Sequence, residues 1–132
     1  MNSSSEEELP EHHIQPSRMT SEVEQMLGEA NRHFIFQEFE EAIEILQEII
    51  MKNPGIPDPY HVLALIHEEK QDREKSVGFL LLAAQMTQHD SHLWTRVGHL
   101  YKELEHYKDA IYCFSRALLN QRTSDFEIMK EK

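Results

Sequence analysis

Seven residues near the C-terminal end of the chain recur, in type, at a fixed distance upstream. Trp94, Gly98, Tyr101, Tyr107, Ala110, Phe114 and Ala117 align with Tyr60, Ala64, His67, Arg73, Ser76, Leu80 and Ala83. One further step back gives Met26, Ala30, His33, Phe39, Ala42, Leu46 and Ile49. The step is 34 residues each time (94 to 60 to 26), inside the window of roughly 20–50 residues that marks stacked repeat arrays. Three units therefore begin near Val23, Pro57 and Ser91 with no insertion between them. A chain with this period builds its core from neighbouring units and not from one central layer.

The residue types at the repeated positions predict a pair of antiparallel helices in each unit. Ala30, Ala64 and Gly98 are small, so the second helix can approach the first closely. Ala42, Ser76 and Ala110 are expected to do the same against the following unit. Met26, Tyr60 and Trp94, with Leu46, Leu80 and Phe114, fill the remaining space. Gly98 costs about 1 kcal/mol of helix propensity relative to alanine, which close packing would justify. Pro54 and Gly55 break the chain after unit one, and Pro57 can open the next helix because its missing N–H costs nothing there. Asp90 with Ser91 supplies one N-cap, and Asp72 supplies another before Arg73. These signals predict helices over 21–36, 39–52, 57–70, 73–87, 91–104 and 107–119.

Unit three, with Trp94, Gly98, Tyr101, Ala110, Phe114 and Ala117, resembles the tetratricopeptide repeat. Units one and two are degenerate, with Arg73 and Ser76 the clearest departures. The resemblance implies an all-α fold, a superhelical solenoid of three helix-turn-helix units spanning 21–119. Residues 1–20 are expected to be an acidic, Ser-rich disordered tail, and 120–132 a C-terminal tail and candidate partial cap. Such solenoids line a groove with their first helices. Carried over position by position, unit one offers Glu24, Leu27, Asn31, Phe34 and Ile35. Unit two offers Asp58, His61, Leu65, Glu68 and Glu69, and unit three offers His92, Thr95, His99, Lys102 and Glu103. This lining is apolar at one end and acidic with histidine at the other. It suits a partner segment with a few apolar anchors and several Lys or Arg.

One groove function of the repeat family can be tested against these positions. Co-chaperones of this class grip C-terminal carboxylates with Lys and Asn in unit one, Asn in unit two and basic residues in unit three. Asn31 and Arg96 match, but Leu27 and Val62 replace a Lys and an Asn, and His92 replaces a Lys. Glu68 and Glu69 would also repel an acidic tail. The chain is not expected to be a carboxylate clamp.

Composition narrows the functional classes further. With 24 acidic and 13 basic residues the net charge is −11, which opposes direct contact with a phosphate backbone. Cys113 is the single cysteine, so no intrachain disulfide can form. No apolar run is long enough to span a bilayer, and no leader pattern opens the chain, so a soluble intracellular protein without membrane partners is expected. Of the nine histidines, His12 and His13 fall in the expected tail and His33 and His67 at packing positions. His89 and His92 lack the further ligands that a zinc site needs. Gly28, Gly55, Gly78 and Gly98 are isolated and form no phosphate loop. Cys113 adjoins the packing residue Phe114 and reads as an inert thiol. Neither an active site nor a cofactor is expected.

A narrower resemblance rests on four stretches: Gly28 to Asn31, Phe39 to Ile50, Leu63 to Met86, and Ala110 to Leu118. Across roughly residues 20–119 these are similar to the first repeats of the third-polypeptide subunit family of transcription factor IIIC, the RNA polymerase III factor. The resemblance implies a nuclear assembly scaffold. In that family the array joins the DNA-bound factor to transcription factor IIIB, whose subunits carry basic segments. The implied partners are thus transcription factor IIIB and other transcription factor IIIC subunits. Family members are much longer, and here the pattern stops near Leu119. A truncated isoform, a partial gene product or a fragment would each fit, with Phe126, Ile128 and Met129 available to fold back over the last helix. A generic adaptor of another complex, such as a ubiquitin-ligase scaffold or an RNA-processing factor, shares the same mechanism and stays open.

Overall fold

The computed structural model describes residues 19–130, with side chains through Arg122. The described residues form six helices: α1 Ser21–Ile35, α2 Phe39–Lys52, α3 Asp58–Glu69, α4 Arg73–Met86, α5 Ser91–Glu103 and α6 Tyr107–Lys130. They stand in sequence as three hairpins, α1 with α2, α3 with α4, and α5 with α6, each packed on the next. His12 and His13 and most of the expected 1–20 tail lie outside the described residues.

Local chemistry accounts for most helix ends. Thr20 accepts from the Val23 amide at 3.2 Å, and Glu22 and Glu24 lie in the first turn, where the helix dipole favours acids. Asp72 caps α4 through the Lys75 amide at 3.2 Å, and Asp90 caps α5 through the Leu93 amide at 3.1 Å, as the sequence predicts. Pro57 occupies the cap position of α3, with Pro59 in its first turn.

The turn inside each hairpin uses one device three times. Gln37, Gln71 and Glu105 have φ of 62°, 64° and 65°, and they sit at the same position of successive units. Around each, two amides close back on the preceding helix. Gln37 donates to the Phe34 carbonyl at 2.9 Å and Glu38 to the His33 carbonyl at 2.8 Å. The pairs Gln71 to Glu68 and Asp72 to His67 repeat this geometry, as do Glu105 to Lys102 and His106 to Tyr101. This is the Schellman termination with a long polar residue where glycine is usual.

The core runs continuously along the array as two overlapping clusters. Val23, Leu27, Ala30, Ala42, Leu46 and Ile49 close unit one together with Ile56, Leu63 and Ile66. Ala64 turns the other way and joins Val77, Leu80, Ala83, Ala84, Leu93, Trp94, Val97, Cys113 and Ala117. Phe79 packs against both clusters, so the units share a core instead of merely touching. Each fully buried large apolar side chain here contributes roughly 1.5–3 kcal/mol.

Ser76 borders Arg96, Leu100 and Leu104 of the following unit, and its hydroxyl donates to the Ala64 carbonyl at 2.9 Å within its own hairpin. A serine at a close helix contact must satisfy its hydroxyl, and the facing helix offers that carbonyl. The last helix does not stop at Leu119 but runs on to Lys130 through the expected tail. Its extension is tied down at Asn120, whose amide group donates to the Gln88 carbonyl. That carbonyl also accepts from Trp94 Nε1 at 3.0 Å, and the Arg116 guanidinium lies 5.6 Å from the Trp94 ring centre. The expected fold-back of Phe126, Ile128 and Met129 concerns side chains outside the described set.

Polar contacts between units are exposed. Glu40 receives Lys70 at 3.0 Å and Glu74 receives His106 at 2.9 Å; the two acids hold the same repeat position. Arg73 meets Glu103 at 2.6 Å, and Lys52 meets Glu22 at 2.8 Å within unit one. Such pairs contribute at most about 1 kcal/mol each, so they set register more than stability.

Candidate partner groove

The first helices α1, α3 and α5 carry every residue expected to line the groove. Asn31, Asp58, Leu65, Glu68, Glu69, His92, His99 and Lys102 are exposed, and Phe34, His61 and Thr95 are half-buried. Leu27 is the correction. It is 9% exposed and belongs to the unit-one core, because the apolar stripe of α1 runs through Val23, Leu27 and Ala30.

Two clusters of the expected residues come together. His61, Leu65 and Glu68 on α3 face Arg96 on α5 across a hollow floored by Ala64 and Leu80. Glu68 and Arg96 also share a second hollow with Arg73, Ser76, Val77, Leu100 and Leu104. These hollows hold about 90 and 60 Å³, far below the roughly 300 Å³ at which a small-molecule pocket begins. They are dimples along a surface and suit side chains of an extended partner. Farther along, Phe34 and Ile35 meet Glu69, Gln37 and Phe39 in a wider hollow. The Phe34 and Phe39 rings lie 5.9 Å apart and stiffen that end.

Unit three contributes less than its sequence suggests. The Thr95 hydroxyl is engaged with the Ser91 carbonyl at 2.9 Å, and Glu103 is committed to Arg73. His99 stands edge-on to Phe114 with ring centres 5.1 Å apart. His92 and Lys102 are exposed but line neither of the two hollows that Arg96 shares with unit two. Arg96 is the lining residue that the position-by-position reading left out of the groove. Phe36 lines none of these hollows but is 66% exposed beside Ile35 at 70%.

Burial, with Asp109 adding to it, pushes the Cys113 thiol up to about 11, which disfavours the thiolate. Burial also holds the Tyr60 and Tyr101 hydroxyls above the usual tyrosine range. Among the described residues no three His, Cys, Asp or Glu side chains converge to hold a metal, and no helix is long and apolar enough to cross a membrane.

Hairpins in 34-residue register, closed by the same left-handed turn and sharing one core, define the tetratricopeptide-repeat fold, and the chain has it. The tetratricopeptide repeat family model matches residues 91–123. Its sequence is similar to the human General transcription factor 3C polypeptide 3, 36% identical over 108 residues that cover 82% of this chain and 12% of that protein. The Transcription factor tau 131 kDa subunit of Saccharomyces cerevisiae is 31% identical over 97 residues, covering 74% of this chain and 10% of that one. The Transcription factor tau subunit sfc4 of Schizosaccharomyces pombe is 30% identical over 115 residues, covering 83% and 11%. The chain thus spans about a tenth of the length of these relatives. Among solved structures it resembles MamA, with a TM-score of 0.62 at 20% identity over 77% of this chain and 60% of that one, a likeness of fold alone.

Proposed function

We propose that the chain is a non-catalytic interaction module of the transcription factor IIIC type, acting in the nucleus, that holds a basic segment of a partner protein along its first helices. The observation that carries the reading is the strip from Ile35 to Glu69, Glu68 and Leu65. Exposed apolar side chains there alternate with carboxylates on a rigid, continuously packed support. Apolar anchors supply contact area, while the acids select Lys or Arg and speed the encounter. The net charge of −11 acts the same way at long range. Similarity to transcription factor IIIC and tau subunits supports transcription factor IIIB and other IIIC subunits as partners. The net charge of −11 opposes a phosphate backbone and favours protein partners over direct nucleic-acid contact.

The test is capture from nuclear extract on residues 20–132, with mass spectrometry as readout and a Glu68→Lys, Glu69→Lys variant as control. Recovery of transcription factor IIIB or other IIIC subunits by the parent chain, lost in the variant, is the expected result. Equal recovery by both would remove the groove from the reading, and recovery of an unrelated complex would remove the family partner.

A further inference from the structure

The opposite side of the array holds a cleft that the groove does not use. Its walls are α2 and α4, the second helices of units one and two, and the last turn of α3 closes one end. Ile43, Phe79 and Leu82 make its apolar floor, with Leu82 39% exposed. It encloses about 570 Å³, within the roughly 300–1,000 Å³ of binding clefts.

Gly78 lies in this floor, near the middle of α4. A Cβ at Gly78 would meet nothing within 4 Å, so no neighbouring helix demands glycine there. Mid-helix glycine nonetheless costs about 1 kcal/mol relative to alanine. The equivalent positions of the other units carry Glu44 and Tyr112, side chains that would fill the space. The bare position leaves the cleft open between Ile43, Phe79 and Leu82.

The rim carries two lysines and one acid in a chain of net charge −11. Lys70 and Lys75 stand at the edge, and His67 stacks on Phe79 with ring centres 5.4 Å apart. Lys70 reaches Glu40, the only acid lining the cleft. The Lys75 ammonium takes part in no ion pair among the described residues. Burial, and then the nearby Lys75 and Lys70, holds the His67 imidazole below its ordinary range, as expected where positive charge gathers.

We propose that this cleft is a second docking site, which takes a short acidic segment of a partner protein. One large aliphatic or aromatic side chain of that segment seats over Gly78, and its carboxylates meet Lys70 and Lys75. Charge complementarity decides the class of occupant: a basic segment suits α1 and α3 on the other side and is repelled here. The site is distinct from the proposed groove, because the two share no lining residue, although both touch the last turn of α3 and the start of α2.

The experiment titrates the full chain with a short fluorescein-labelled peptide of glutamates around one Leu-Phe pair, following anisotropy and backbone amide shifts. The expected result is saturable binding with shifts confined to α2, α4 and the end of α3, weakened at least about tenfold by Gly78→Leu and by Lys75→Glu. The Cβ of Gly78→Leu meets nothing within 4 Å and leucine favours helix, and Lys75 is exposed, so both variants should fold; thermal melting checks this. Absence of localised shifts, equal binding by a lysine-for-glutamate peptide, equal binding by an uncharged acyl detergent, or undiminished affinity in both folded variants would each overturn the proposal.

Discussion

Gly98 lies directly beneath the ring of Phe114: a Cβ added to Gly98 would stand 2.7 Å from Phe114 Cε1 and 2.9 Å from Cδ1. No Cβ approaches carbon that closely, so the ring must move if the glycine gains a methyl. The edge contact of that ring with His99 would move with it. Gly98→Ala is expected to lower stability by about 1–2 kcal/mol in urea titration, although alanine is the better helix former. Gly28→Ala, where nothing lies within 4 Å, should raise it by about 0.5–1 kcal/mol. The same sign at both sites would refute this close contact.

The three left-handed turn residues have long side chains where glycine would be unstrained. Replacing Gln71, with φ of 64°, by glycine removes a conformational cost of roughly 1 kcal/mol, partly offset by the looser unfolded chain. Gln71→Gly should leave stability unchanged or raise it by up to about 1 kcal/mol. Gln71→Val should lower it, because a β-branched residue tolerates that φ poorly. Paired chemical denaturation curves decide the matter.

Ala110 is 3% exposed at the inner contact of α6. Ala110→Glu would bury an unpaired carboxylate and is expected to cost about 3 kcal/mol or more, enough to unfold so small an array. Circular dichroism would show the loss of helicity, and a native melting curve would disprove the register.

His106 and His67 should titrate on opposite sides of the ordinary histidine value. The hydrogen bond and charge of Glu74 raise His106, while burial and the nearby Lys75 and Lys70 lower His67. The His106 contribution to stability is therefore present in full below the unfolded pKa and fades as pH rises through the higher folded value. The His67 contribution is present above the unfolded pKa and fades as pH falls through the lower folded value. Imidazole resonances followed by NMR across pH 5–8 should give this order, and Glu74→Gln should return His106 towards the ordinary value.

Cys113 is fully buried with its thiol pushed up to about 11. Its reaction with a thiol reagent at neutral pH should be slow and should accelerate in urea in step with unfolding. Fast labelling of the native chain would mean that α6 opens readily.

The 34-residue spacing from Met26 to Tyr60 to Trp94 was enough to read the hairpins, and Asp72 and Asp90 marked their helix starts. Helix pattern and capping depend on residues within a turn or two of each other, so they show in the chain itself. The groove was legible only as a set of positions. Leu27 went to the core because α1 rotates its apolar stripe inward, and Thr95 and Glu103 were engaged by Ser91 and Arg73. Arg96, matched in the sequence only to a carboxylate-clamp position, lines two hollows of the groove.

By itself the sequence determined that this protein is a three-unit array of helical hairpins, because a fixed period of small and large residues can bury itself in no other way. Only the tertiary structure decided which side of each helix was left for partners. It carried α6 on to Lys130, hooked Asn120 to Gln88, and opened a lysine-rimmed cleft beside Gly78 in an acidic chain. Those features depend on contacts between helices distant in sequence, and no local pattern encodes the rotation at which two helices finally pack.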